Sequence, residues 1–466
     1  MSGIAWTESN VLRLLENGEE FFPRVFETIG EAGSEVLIDT FILKEDEVGR
    51  QLGELLCAAA RRGVRVALTL DGYGTPELSE GFVRELTGCG VVLRWFDLRP
   101  RRMGFRTNLF RRLHRKLVLV DGETAFIGGI NFSAEHLRSW GPLSKQDYAI
   151  EVRGPVAQQV RSLMADVDGP PLRASALRRW WLGPRNPAAP AAEFGPARAG
   201  LVVRDDQAHR QDIERAYRLG IRGARWEIII ANAYFFPGYR LLRELRRAAR
   251  RGVAVHLVLQ GRTDMRLVRL ASSTLYDSLL RSGVHIHEYG ERPLHAKVAV
   301  IDRRWATVGS SNLDPLSLFL NLEANLVAED RVFADNLRSS LRKLMREQCK
   351  ELQVPAAGPT TPLRNLSGFL AFHLLRRLPG IAGWVPAHAD SHVLLHDAAG
   401  NSDMQGSSVS EPRVPTRVPS DPRPDGVVRD DHYSRSSVFG SCGCTGSPSS
   451  ALRQSTVPKP VPPSRV

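Results

Sequence analysis

Cysteine is scarce: Cys57, Cys89, Cys349, Cys442 and Cys444 are the five in 466 residues. They show neither the paired spacing of a metal centre nor a disulfide framework, so reduced thiols in a cytosol-facing location are expected. Long apolar runs are missing too. No stretch approaches the roughly 18 residues that a membrane span needs, and the N-terminal MSGIAWTESNVLRLLENGEE turns acidic before a signal-peptide core develops. Any membrane contact is therefore expected from outside the bilayer. Lysine is the third rarity, with seven among 63 basic residues.

What is present is ordinary in amount and unusual in arrangement. A 42% hydrophobic, 24% charged composition is that of a soluble globular protein large enough for more than one domain. The 63 Lys and Arg against 51 Asp and Glu, a formal charge of +12, predict attraction to a polyanion, either nucleic acid or an anionic membrane surface.

From about residue 19 to 70 the pattern reads helix, strand, helix, strand. Glu35 to Leu43 has the apolar, β-branched density of a buried strand, Val48 to Arg62 has helical periodicity stopped by Gly63, and Val64 to Leu70 alternates as a strand. The block recurs. Glu227 to Phe236 answers the first strand, Ala248-Ala-Arg-Arg-Gly-Val253 repeats Ala59-Ala-Arg-Arg-Gly-Val64 letter for letter, and Val255 to Leu259 follows as a strand. A duplicated α/β unit is the simplest account.

Each half then reaches one motif: His114-Arg115-Lys116-Leu-Val-Leu-Val-Asp121 and His295-Ala296-Lys297-Val-Ala-Val-Ile-Asp302. A Gly-and-Asn turn follows at the same distance, Gly128-Gly129-Ile130-Asn131 and Gly309-Ser310-Ser311-Asn312. On a strand, residues i and i+2 share a face, so each His projects beside its Lys. The Asp lies at an odd offset, and Asp121 opens an Asp-Gly pair, which favours a turn-holding role for Asp121 and Asp302. A lone motif of this kind is more often solvated strand charge than chemistry. Two copies, both spending a rare Lys, point to one site in which Lys116, Lys297, Asn131, Ser310 and Asn312 cradle a phosphate without a metal or cofactor.

These residues resemble the phospholipase D superfamily, whose members carry two His-x-Lys-x4-Asp motifs followed by Gly-and-Asn turns, and the similarity spans about residues 10 to 350. The Gly-Gly-x-Asn turn, the Gly-Ser-Ser-Asn-Leu-Asp turn and Asn321-Leu322-Glu323 look like those of bacterial cardiolipin synthases of the branch without N-terminal membrane helices. The resemblance implies two similar phospholipase-D-type α/β sandwich repeats packed as a pseudo-twofold pair. It implies the catalytic set His114, Lys116, Asp121, His295, Lys297 and Asp302, with His114 as nucleophile and His295 as general acid. It also implies a carboxylate downstream of each motif to orient each imidazole: Asp147 for His114 and Glu323 for His295. The expected reaction is transphosphatidylation through a phosphohistidine, making cardiolipin from phosphatidylglycerol, with phosphatidylethanolamine as a further candidate substrate. Hydrolysis of phospholipid or nucleic acid by the same chemistry is the alternative.

The expected organisation is a first repeat over 1–165, a basic, Pro/Ala-rich linker over 166–200, a second repeat over 201–350, an amphipathic extension over 351–388 and a disordered tail over 389–466. Three segments mix Arg with aromatic or long apolar residues: Arg94 to Arg115, Arg178 to Arg185 and Arg364 to Trp384. Such mixtures suit insertion into an anionic interface and make nucleic acid the weaker expectation. A peripheral position on the cytoplasmic face of a bacterial membrane follows, with no oligomer required, since one chain carries both motifs.

Overall fold

Two chains of elements with the same order lie on either side of a single seam. The computed structural model describes residues 4–76, 78–97, 112–165, 195–261, 275–354 and 392–393. The first repeat runs β1 (Thr7–Glu16), α1 (Asn17–Gly30), β2 (Glu35–Thr40), α2 (Glu47–Arg61), β3 (Arg65–Asp71), α3 (Glu80–Gly88), β4 (Val92–Phe96), β5 (Leu117–Val120), β6 (Thr124–Gly128), β7 (Tyr148–Arg153) and α4 (Val156–Ala165). Short 3₁₀ turns at Ala134–His136 and Arg138–Trp140 precede β7. The second repeat runs β8 (Ala197–Arg204), α5 (Asp212–Gly223), β9 (Glu227–Asn232), α6 (Tyr239–Arg250), β10 (Ala254–Gln260), β11 (Val284–Tyr289), β12 (Lys297–Ile301), β13 (Trp305–Gly309), α7 (Pro315–Phe319), β14 (Glu323–Glu329), α8 (Arg331–Gln348) and β15 (Cys349–Glu351).

The sheet is palindromic about the antiparallel contact of β1 with β8, where Thr7 faces Ala199 and Asn10 faces Ala197. Outward from that seam the order is β1-β7-β6-β5-β2-β3-β4 on one side and β8-β14-β13-β12-β9-β10-β11 on the other. Within each half β2–β3–β4 and β9–β10–β11 are parallel, and the motif strands β5 and β12 run antiparallel to β2 and β9.

Local sequence explains where the helices start and stop. Asp46 caps α2 by accepting from the N–H groups of Val48 and Gly49, and Asp330 caps α8 through Phe333. The repeated Ala-Ala-Arg-Arg-Gly-Val does one job twice. Gly63 and Gly252 take φ of +89° and +88°, which an L side chain resists, and each helix stops there. Just before them, Arg62 donates to the carbonyls of Ile29 and Ala32, and Arg251 to those of Ile221 and Ala224. The guanidinium thus satisfies carbonyls at the end of the preceding helix in each half.

Each half buries its own apolar cluster against its outer helices, α1 to α3 in one case and α5 and α6 in the other. A third cluster is shared: Leu119, Ile127 and Ile150 pack with Val298, Val308 and Leu326, and α4 and α8 close it. This common core holds the two repeats together. Among the described residues, no helix is long and apolar enough to cross a membrane.

The second repeat begins at Ala197, inside the span expected to be linker. β1 is a ten-residue strand that the sequence reading did not find. Residues 98–111 of the first Arg-aromatic segment, the whole of Arg178 to Arg185 and Arg364 to Trp384, and most of the extension and tail lie outside the described residues. From the tail, only the two-residue strand β16 (His392–Val393), paired with β4, is described.

Candidate active site

The two motifs enter the site by crossing between repeats. The Leu113–His114 backbone pairs with Leu322, whose carbonyl accepts from His114 N–H at 3.0 Å and whose N–H donates to Arg112 at 2.8 Å. In the equivalent place His295 N–H donates to Gln146 at 2.8 Å, and Gln146 N–H donates to Pro293 at 2.9 Å. The residue after Leu322 is Glu323, and the residue after Gln146 is Asp147. Each motif is therefore laid alongside the other repeat's carboxylate.

This geometry overturns the expected pairing. His114 Nδ1 lies 3.0 Å from the carboxylate of Glu323, and His295 Nδ1 lies 2.6 Å from Asp147 Oδ2. The carboxylates do orient the imidazoles, but across the repeat boundary. With Nδ1–H held by a carboxylate, Nε2 of each ring is left for a reacting group.

Each lysine sits on its histidine's side, as strand parity predicts: Lys116 Nζ donates to the His114 carbonyl at 2.6 Å, and Lys297 Nζ donates to that of His295. Both are buried. Burial pushes Lys116 down to about 7, against the pull of Glu323, and Lys297 down to about 8, against Asp147. Burial also takes His114 down to about 4, with Glu323 opposing, and holds His295 well below the ordinary histidine value, aided by Lys297 and Lys145. Both rings are thus neutral at pH 7.

Asp121 and Asp302 leave the catalytic set. Asp121 accepts from the backbone N–H groups of Gly33, Ser34 and Glu35, and Asp302 from those of Arg225, Trp226 and Glu227. They lie at the far ends of β5 and β12 with φ of +53° and +51°, where Asp is better tolerated than most residues. They tie the motif strand to the start of β2 or β9, the role the odd offset indicated.

The residues assigned to the phosphate divide. Ser310 Oγ donates to Glu323 at 2.5 Å, so it positions a carboxylate instead of presenting itself to a substrate. Its counterpart is Gly129, where a Cβ would come within 2.4 Å of Asp147 Oδ1. Asn131 spends its side-chain oxygen on Ile42 N–H at 3.2 Å. Asn312 is buried, and its Oδ1 has no hydrogen-bond partner among the described residues.

Sequence reasoning missed three participants. Asp71, at the end of β3, accepts from Leu113 N–H at 2.7 Å, and Gln260, at the end of β10, accepts from Leu294 N–H. Both fix the residue just before a motif histidine. The third is His136, fully buried, with its ring 5.7 Å from that of His295 and its Nε2 accepting from Asn131 N–H at 3.2 Å. The matching position in the second repeat is Ser317, so no recurring motif marks it.

His136, Asp147 and His295 offer donor atoms within 4.8 Å of one another. Asp147 is already engaged by His295, and the charges of Lys297, Lys145 and Lys116 bear on His295. That field opposes a divalent cation and favours an anion. On the other side, Phe41 packs 4.8 Å from the His114 ring, and Arg112 lies over Tyr73 at 4.0 Å.

Relatives carry this arrangement further. The family model described as "Cardiolipin synthase, PLD-like domain" matches residues 25–165 and 219–345, one segment in each repeat. The chain is 50% identical over 383 residues to cardiolipin synthase B of Salmonella typhi, covering 82% of this chain and 92% of that one. It is also 50% identical over 384 residues to cardiolipin synthase B of Escherichia coli K12, with the same coverages. The crystal structure of a phosphatidylserine synthase from Haemophilus influenzae Rd KW20 shares the fold, with a TM-score of 0.59 at 13% identity over 80% of this chain and 94% of that one. With a matched domain in each half and two histidine–lysine pairs meeting between them, the chain belongs to the cardiolipin synthase family of phospholipase-D-like proteins.

Proposed function

We propose that the protein is a phosphatidyltransferase that makes cardiolipin from two molecules of phosphatidylglycerol through a phosphohistidine. The observation that carries this reading is the pair of buried imidazoles, each bonded through Nδ1 to a buried carboxylate of the opposite repeat, with two buried lysines beside them. His114 Nε2 attacks the donor's phosphorus, forming an N–P bond as the bond to the glycerol oxygen breaks. His295, protonated on Nε2 once the phosphodiester anion is bound, gives that proton to the departing glycerol.

In the second half the glycerol hydroxyl of another phosphatidylglycerol gives its proton to His295 and attacks phosphorus, and the N–P bond breaks. Atoms balance as cardiolipin plus glycerol. Lys116, Lys297 and Asn312 hold the non-bridging oxygens, whose charge grows in each transition state. Phosphatidylethanolamine fits the donor role by the same chemistry. The +12 charge and the absence of a spanning helix among the described residues support peripheral attachment to an anionic bilayer, which we place on the cytoplasmic face.

The test is purified protein with phosphatidylglycerol vesicles, with and without phosphatidylethanolamine, and mass spectrometry of the lipids. Cardiolipin from wild type and none from His114→Ala is expected. Undiminished cardiolipin from that variant ends the proposal, and cleavage of single-stranded DNA in a lipid-free arm replaces it with a nuclease.

A further inference from the structure

The duplication supplies an internal control for features away from the histidines. At the opposite ends of the strands, the second repeat holds a cavity of about 970 Å³ bounded by the first residues of β9 and β10, the Asp302–Arg304 turn and the start of α8. Among the described residues six arginines line it: Arg225, Arg303, Arg304, Arg331, Arg338 and Arg342. Three carboxylates also face it, and each is engaged. Asp302 holds the three backbone N–H groups already described, Glu227 pairs with Arg338 and Arg342, and Asp335 pairs with Arg303 at 2.6 Å. Arg225 and Arg304 make no ion pair among the described residues, and Arg331 acts on Asp335 only through space. All three are exposed, and Trp226 on the same rim is 68% exposed.

The first repeat keeps this scaffold and omits the charge. Asp121 ties the same backbone, and Glu35 is held by Arg65 and Arg161 as Glu227 is held by its two arginines. At the positions of Arg225, Trp226, Arg303, Arg304 and Arg331 stand Gly33, Ser34, Gly122, Glu123 and Pro155. The fold therefore does not require the arginines. Clustered cations repel one another, and an anion seated among them offsets that cost.

We propose that this arginine pocket is a second phosphate-binding site, separate from the histidine pair, for a ligand carrying clustered phosphate charge. Guanidinium forks recognise phosphate oxygens bidentately, which lysine cannot do. Among the described residues no histidine, cysteine, serine or lysine lines the cavity, which favours binding over turnover. Trp226 gives the rim an apolar flank beside the charge. The phosphates belong either to a soluble polyphosphorylated molecule or to anionic lipid headgroups.

The experiment compares wild type with Arg225→Ala/Arg304→Ala, two exposed positions outside the catalytic machinery. Inorganic pyrophosphate binding is measured calorimetrically at low salt, and sedimentation with phosphatidylglycerol vesicles is measured in parallel. The histidine site is intact in both proteins, so any difference belongs to the pocket. The expected result is a loss of affinity of about tenfold or more with thermal stability unchanged. Loss in the pyrophosphate arm assigns a soluble ligand, loss in the vesicle arm assigns headgroups, and loss in both assigns phosphate clusters from either source. Unchanged binding in both arms overturns the proposal.

Discussion

The two halves build the same imidazole–carboxylate contact with different parts. Around His114 the carboxylate is Glu323, longer by one methylene and steadied by Ser310 Oγ at 2.5 Å. Around His295 it is Asp147, resting over Gly129, where a Cβ would collide with it at 2.4 Å. Burial raises Asp147, whereas for Glu323 the raising effect of burial is outweighed by His114, Lys116 and Ser310, which bring it below its usual value. The second imidazole also has His136 beside it, and the first has Phe41. A duplicated fold thus supplies two equivalent positions that need not behave alike, as nucleophile and acid must not.

The comparison is broken most severely at the histidines. His114→Ala and His295→Ala should each lower cardiolipin formation on the order of 10⁴-fold or more. A phosphodiester with a p-nitrophenolate leaving group separates them, because that anion departs without a proton. His295→Ala should keep a burst of nitrophenolate and His114→Ala should lose it; the reverse pattern exchanges the two roles.

Next come the carboxylates. Glu323→Gln and Asp147→Asn should each cost about 10²- to 10⁴-fold in kcat with little change in folding, because the imidazole loses its tautomer and charge partner. Because the carboxylates cross, Glu323→Gln should slow the burst step and Asp147→Asn should slow glycerol departure. The same assay shows a swap if each carboxylate serves its own repeat.

A smaller contrast separates positions 129 and 310. Gly129→Ala forces Asp147 away from His295 and should lose about 10²-fold, since small displacements of a catalytic group carry large kinetic penalties. Ser310→Ala removes only one donor to Glu323 and should lose about tenfold. Equal losses would show that the two carboxylates are held in the same way.

The mildest effect is in protons. Lys116 at about 7 and Lys297 at about 8 are partly neutral at pH 8. A bound phosphate anion raises both, so binding takes up protons and weakens as pH rises through this range. Calorimetry in buffers of different ionisation enthalpy measures the uptake. On the acid side His114, at about 4, stays neutral well below pH 6, so nucleophilic competence should fail only as pH falls towards that value.

Much of this site was legible because its signals are local and doubled. His114 with Lys116, and His295 with Lys297, follow from strand parity, and Asp121 and Asp302 were separated from them by an odd offset. Which carboxylate serves which histidine was not legible, because it depends on Leu322 pairing with Leu113, and Gln146 with Leu294, across the repeat boundary. His136 was missed because it occurs once. β1 was missed because its residues are mostly part-exposed although it lies at the centre of the sheet, so its alternation resembles a surface segment.

The cross-repeat contact has a consequence for synthesis. His114 and its carboxylate are 209 residues apart. At about 5 to 20 residues per second, Glu323 follows His114 out of translation by roughly 10 to 40 s. During that interval a ribosome-bound chain can shape its first sheet but cannot hold the His114 ring against its carboxylate, so the site stays incomplete until the second repeat is made.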